Sequence, residues 1–330
     1  MIKKNPPIRI LLLGYSYIAQ KSIIRAIENN SNFILVGIAS KSRYKGIPKE
    51  YIIYKSYEEA IKKSNCDVVY ISLHNSAHYE WIVYCLKNNK HVICDKPAVL
   101  NKKQALDCYK KAGNNLILFE GFAYLYHLQH ILLIKYFKEK QYHLQNITAY
   151  FGFPPLNLSN FRNYASLGGG CLYDLGPYMI SIGQLYFQKS AEKIYCNSYT
   201  LKGSEMPIWA SVMISYGNNQ VLQGCFGFQL EYKNHLDLWG YKFNFYLDRA
   251  FTIPPNFSNT INHKSGNKMN TILVPPCDAF YEMFNHFSKI YYERDLRCNK
   301  LFLKQAIQLD AMVKSAETKT IQIIRYKNIK

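Results

Sequence analysis

The chain holds no apolar run long enough to cross a bilayer, so no helical membrane span is expected. It has no Cys-x-x-Cys pair, and its nine cysteines are odd in number and irregularly spaced. That pattern excludes a disulfide framework and a structural zinc site; no metal is expected, and free thiols in a reducing compartment fit it. No small-residue cleavage site follows the opening "MIKKNPPIRILLLG", so the protein reads as cytoplasmic. Acidic residues are scarce, 22 against 41 basic ones, giving a formal charge of +19. Arginine is scarcer still, 8 of those 41, and the lysines are scattered rather than grouped. A nucleic-acid partner is therefore not expected, since a diffuse positive field serves anionic small substrates equally well. Internal repeats and low-complexity linkers are missing as well.

What the chain does have is apolar content, 48% over 330 residues, enough for one large or two medium cores. Its first 120 residues alternate strand and helix signals. "IRILLLG" (8–14) is a continuous apolar run ending in glycine, the mark of a parallel strand covered on both faces. Helical spacing follows at 16–30, a strand at 33–40, a helix at 56–64 and a strand at 67–73. The same alternation continues with a helix at 78–89, a strand at 91–96, a helix at 101–114 and a strand at 116–122. Strands separated by single helices predict right-handed crossovers and a doubly wound parallel sheet, an α/β Rossmann dinucleotide-binding domain over 1–120.

After about residue 121 the pattern changes. Alternating segments at 146–153, 208–216, 219–230, 235–241 and 242–248 follow one another with few helices. They predict an α+β domain over 121–330 with an open, mostly antiparallel sheet. Helical segments at 277–295 and 302–319, expected to return to the first domain, precede a last strand, "IQIIRY".

"GYSYIA" follows the first strand and opens a helix, where a dinucleotide pyrophosphate sits on a helix N-terminus. Gly14, Tyr15, Ser16, Tyr17, Ile18 and Ala19 are the candidate phosphate turn. Ser16 stands where the usual G-x-G-x-x-G/A has its middle glycine, so an ordinary strand-to-helix turn remains open. At the end of the second strand "IASKSR" offers Ser40, Lys41 and Arg43 and no carboxylate. A ribose 2′-phosphate matches that group better than a 2′-hydroxyl, which points to NADP(H).

"HVICDKP" ends a buried strand with a lysine, although desolvating an ammonium without a partner is expensive. "NKHVICDKP" resembles the G-K-H-V-x-x-E-K-P of the Gfo/Idh/MocA oxidoreductases, with Asp95 in place of the common Glu before Lys96 and Pro97. "FEGFAYLYHLQH" (119–130) resembles the family's E-x-F-M-x-R-x-H-P-Q, though Leu125 and Leu128 depart from its Arg and Pro. "NFRNYASLGGGCLYDLGPYMI" (160–180) is similar to N-x-R…G-G-G-x-L-x-D-x-G-x-Y, with Tyr178 where many members have His. Within the family, "DLWG" and "DRAFTIPP" look most like the nucleotide-linked 3-keto-sugar reductases of deoxysugar biosynthesis.

The resemblance implies NADPH-dependent reduction of the C-3 ketone of a dTDP-linked deoxyhexose. Such a reduction needs a proton for the developing alkoxide, and a tyrosine beside an ammonium is a better acid. Lys96 and Tyr178 are thus the expected catalytic pair, approaching the substrate from opposite walls. By the same resemblance Leu73, Asn75 and His78 line the cofactor's ribose and pyrophosphate, and Arg162 and Asp174 meet its nicotinamide half. Tyr232 and Thr252 meet the sugar nucleotide, and Lys21 reaches its pyrophosphate. Taken alone, His78 reads equally as a solvated helix-start residue, Asp174 as a helix cap and Tyr232 as a sheet-face aromatic.

Two other functions stay open: oxidation of a free sugar, inositol or dihydrodiol, and a catalytically silent binding protein that keeps the fold. An exposed antiparallel sheet needs covering, so a homodimer or homotetramer is expected through that face.

Overall fold

The computed structural model of the protein describes residues 5–41 and 44–326. It divides into two compact units. One takes in the described residues through Ala123 together with Phe280–Leu303; the other comprises Tyr124–Ala279 and the chain from Lys304.

Among the described residues the first unit has a six-stranded parallel sheet. Its strands are β1 (Ile8–Leu13), β2 (Phe33–Ala39), β3 (Ile53–Tyr54), β4 (Val68–Ile71), β5 (His91–Asp95) and β6 (Leu118–Gly121). The order β3-β2-β1-β4-β5-β6 is the doubly wound one the alternation predicts. β1 lies between β2 and β4, so the strand order reverses there, the point beyond whose carboxyl ends ligands bind in such sheets. The crossovers are α1 (Ile24–Glu28), α2 (Tyr57–Lys63), α3 (Asn75–Lys87) and α4 (Lys102–Ala112). Ser56 and Asn101 start two of them: their side-chain oxygens accept from the amides of Glu59 and Gln104. The two-residue β3 is too short to leave a pattern in the sequence.

α8 (Ala279–Glu293) covers this unit's sheet. Phe284 packs edge-on to Phe33 at 5.2 Å and tilted to Tyr70 at 5.8 Å, and Phe287 meets Phe119 at 5.4 Å. Phe284 and Phe287 are completely buried, each contributing roughly 1.5–3 kcal/mol by removal from water. The Asn299 side chain accepts from the Leu118 amide and donates to the Leu116 carbonyl, tying the next helix to β6.

The second unit departs from its expected outline in several places. Its sheet has nine strands among the described residues, in the order β14-β13-β12-β11-β7-β10-β9-β8-β15. These are β7 (Leu144–Phe153), β8 (Lys193–Thr200), β9 (Pro207–Ser215), β10 (Val221–Phe228), β11 (Lys233–Gly240), β12 (Phe243–Leu247), β13 (Asn259–Ser265), β14 (Lys268–Val274) and β15 (Gln322–Ile323). Pairings are antiparallel except for the central β7–β10 pair, which is parallel over eight residues. The expected last strand shrinks to two residues, and β8, β13 and β14 join the sheet unpredicted.

Helices α5 (Leu128–Glu139), α6 (Cys171–Asp174) and α7 (Gly176–Phe187) also exceed the expectation, and α9 (Arg297–Thr318) supplies residues to both units. Nearly every residue of α7, "GPYMISIGQLYF", is buried. An apolar surface all round leaves no amphipathic stripe to read. α7 packs on β7 and β10, and the opposite sheet face leaves Tyr195, Tyr199, Met213 and Trp239 exposed. No helix among the described residues is long and apolar enough to cross a membrane. All nine cysteines are free thiols, and no cluster of metal-ligating side chains forms among the described residues.

Candidate active site

The phosphate turn begins at Gly14, which follows β1 with φ +96°. A side chain there would put its Cβ 2.1 Å from the Ser72 carbonyl oxygen, so only glycine lets the ends of β1 and β4 come this close. Ser16 Oγ accepts from the Ala19 amide at 3.0 Å and lies 2.7 Å from Ser72 Oγ. Tyr15, Ser16 and Ile18 are half-buried, Ala19 is buried, and Tyr17 is exposed with the Lys21 ammonium 5.5 Å from its ring.

Beyond β2, Ser40 is buried and Lys41 exposed. The Lys41 ammonium sits 5.0 Å from the ring centroids of both Tyr57 and Trp81, which are themselves in edge-to-face contact at 4.9 Å. Arg43 lies outside the described residues.

Asp95 ends β5, and Lys96 and Pro97 turn out of it with a cis bond between them. Asp95 accepts from Tyr70 OH and from Ser72 Oγ, both at 2.7 Å. Burial and the Asp95 charge push the Tyr70 phenol well above its usual range, so it remains a donor. Glu120, at the end of β6, accepts from the Ala98 amide at 2.9 Å. Burial pushes its carboxyl up to about 7, against the Ala98 hydrogen bond and the nearby Lys96 charge. Glu120 was not among the expected site residues. An acid inside the apolar run "LILFEGF" is the same signal that picked out Lys96.

Asn75 opens α3 and is buried, and Leu73 is half-buried. His78 is wholly enclosed, its nitrogens 2.8 and 3.0 Å from the carbonyl oxygens of Pro97 and Leu73. Burial holds this imidazole below the usual histidine range. With its nitrogens at these two carbonyls, His78 ties the Asp-Lys-Pro turn to the end of β4.

In the second unit the Gly-rich segment places three of the expected site residues. Gly168 and Gly170 have φ +73° and +90°, and a Cβ on Gly169 would fall 2.5 Å from the Arg162 carbonyl oxygen. These three residues fold the chain back so that Arg162 Nε meets the buried Asp174 at 2.7 Å. Tyr178, half-buried in the first turn of α7, lies among the rings of Tyr124, Phe151 and Phe251 at 5.2, 5.0 and 5.5 Å. Three ring contacts fix its aromatic plane.

Tyr232 and Thr252 do meet: their hydroxyls are 3.2 Å apart. Asn234 and Arg249, which sequence reasoning missed, complete the cluster. Buried Asn234 donates to Thr252 Oγ1 at 2.7 Å and to Tyr232 OH at 3.0 Å, and accepts from the Phe251 amide at 2.8 Å. The Arg249 guanidinium lies over the rings of Tyr232 and Phe257 at 5.6 and 5.4 Å. α5 pins the same loop from beneath. Gln129 donates to the carbonyls of Arg249 and Ala250 and accepts from Asn259. His130 lies 2.9 Å from the Ala250 carbonyl and 2.8 Å from Tyr186 OH.

Residues 8–120 match the family described as "Oxidoreductase family, NAD-binding Rossmann fold", and residues 143–246 match the GFO/IDH/MocA C-terminal domain. The chain belongs to the Gfo/Idh/MocA oxidoreductases. Among relatives of this family, a dTDP-3,4-didehydro-2,6-dideoxy-alpha-D-glucose 3-reductase of Saccharopolyspora spinosa is 26% identical, over 86% of this chain and 87% of that one. The enzyme of the same name from Actinomadura kijaniata is 24% identical over 93% and 95%. A solved 3-ketoreductase from Actinomadura kijaniata, in complex with NADP and TDP-benzene, superposes with a TM-score of 0.88 at 24% identity. It covers 94% of this chain and 98% of its own.

Proposed function

We propose that this family member reduces the C-3 ketone of a nucleotide-linked, dTDP-type 3-keto-deoxyhexose with NADPH. One observation carries the reading. Lysine in the Asp-Lys-Pro turn, the Arg162–Asp174 pair and Tyr178 in its aromatic socket occur together, in a chain similar to named 3-ketoreductases along 86% of its length.

The residues present fit a dinucleotide carrying a 2′-phosphate. Gly14 leaves room where a Cβ would collide, and the described end of β2 carries Lys41 and no carboxylate. Bound there, NADPH supplies the hydride. The Gly14–Ala19 turn seats the pyrophosphate, flanked by Leu73 and Asn75, while Ser40, Lys41 and Arg43 hold the 2′-phosphate. Asp174, fixed by Arg162, faces the nicotinamide half. Tyr178 gives its hydroxyl proton to the oxygen at C-3 as hydride reaches the carbon. Lys96 polarises that carbonyl and favours the phenolate left behind. Tyr232, Thr252 and Arg249 receive the sugar nucleotide, with guanidinium charge toward its phosphates, and Lys21 reaches the pyrophosphate. In our reading the enzyme is cytoplasmic and works as a homodimer or homotetramer.

The test is turnover of NADPH with a dTDP-linked 3-keto-deoxyhexose, which is expected to exceed turnover with the free sugar. Lys96→Met and Tyr178→Phe are each expected to lower kcat on the order of 10²–10⁴-fold, the weight of a positioned acid. NADPH affinity should change far less in the Tyr178 variant. Oxidation of a free sugar, inositol or dihydrodiol, without activity on the nucleotide-linked ketone, would replace this reading.

A further inference from the structure

Two of the residues that depart from the family pattern in the first unit, Ser16 for glycine and Asp95 for glutamate, are joined in the structure. Ser16 Oγ is 2.7 Å from Ser72 Oγ, and Ser72 Oγ is 2.7 Å from Asp95 Oδ2. A serine hydroxyl has one hydrogen. Ser72 gives its hydrogen to the carboxylate, so Ser16 must donate to Ser72. The chain therefore runs one way, from Ser16 to Ser72 to Asp95, while the Ala19 amide supplies the donor that Ser16 accepts. It crosses three adjacent strand ends, those of β1, β4 and β5. Tyr70 OH closes the other carboxylate oxygen. Each departure suits the other. A glycine at 16 would leave Ser72 without its donor and the Ala19 amide without its acceptor. A glutamate at 95 is one methylene longer and would carry its carboxylate past Ser72.

The geometry points to Ser16 as a positioning residue that acts with Asp95 as one unit through Ser72, coupling the phosphate turn to the turn that holds Lys96. That assignment rests on the cofactor reading given above. The Ser16 hydrogen, directed to Ser72, is not available to a phosphate; its contribution to cofactor binding is the shape of the turn. A merely tolerated serine makes the opposite forecast, because glycine there frees the Ala19 amide for phosphate and should tighten binding.

The experiment is a double-mutant cycle read by NADPH fluorescence titration and by thermal unfolding of the protein alone. Ser16→Gly, although it supplies the family's glycine, is expected to weaken NADPH about tenfold, the scale of one hydrogen bond. Ser16→Ala, which deletes the hydroxyl without loosening the backbone, should do the same. Asp95→Glu should also weaken binding, and Ser16→Gly with Asp95→Glu should recover most of the loss in both readouts. In a Ser72→Ala background the rescue should vanish, because the bridge is gone. Tighter binding by Ser16→Gly, or losses that multiply with no rescue, would overturn the coupling. Absence of NADPH binding by the unchanged protein would overturn the cofactor reading instead. The unfolding cycle would still report whether Ser16 and Asp95 are coupled.

Discussion

The Lys41 ammonium between Tyr57 and Trp81 is the clearest lever on cofactor choice. Aromatic faces hold the cation in place before an anion arrives, which lowers the cost of ordering it. Lys41→Asp is expected to weaken NADPH at least about tenfold and to reverse or erase the preference over NADH. Equal affinities for the two cofactors in the unchanged protein would show that the 2′-phosphate is not read. Single residues were legible in the sequence where their chemistry conflicted with their surroundings. Lys96 stood out as a cation ending an apolar run, and the glycines at 14 and 168–170 marked tight turns. Ser16 was legible only as a defect, because Ser72 and Asp95 lie 56 and 79 positions further along the chain. Asn234 and Arg249 gave no signal, since the 232–234 and 249–252 segments meet only once β11 has formed.

Elements were legible where burial was one-sided or strands were covered on both faces, as in the first unit. α5 and α7 escaped because their apolar residues surround the helix, while β14 is mostly exposed and β13 turns polar Asn259 and His263 inward beside Ile261. α5 also carries the groups that set an acid response. Burial pushes His130 down to about 3 and His127 to about 4. An unfolded histidine takes its proton near 6.5, while these wait until far lower pH in the fold. Between those limits the unfolded chain binds more protons, so stability falls as pH drops. The thermal midpoint should decline from pH 7 to pH 5. His130→Gln should lower the midpoint at pH 7 and flatten the decline. An unchanged slope in that variant would remove His130 from the response.

For the whole molecule, the exposed face of the nine-stranded sheet bears on assembly. Tyr195 and Met213 are directly paired across β8 and β9, and Trp239 on β11 is 63% exposed. Apolar side chains on an open sheet face are a natural seat for a second copy. Sedimentation should find a homodimer or homotetramer. Met213→Lys with Trp239→Lys should release monomers that still bind NADPH. A monomeric unchanged protein would rule the assembly out.

The first unit is discontinuous in the chain, and that has a consequence during synthesis. A ribosome that has completed β6 has made all six strands of the parallel sheet, yet the rings of Phe33, Tyr70 and Phe119 still lack α8. About 160 further residues must be translated before Phe284 and Phe287 can dock, which at ordinary elongation rates is roughly ten to thirty seconds. The nascent nucleotide-binding half spends that interval with an open apolar flank, a surface on which a chaperone would act.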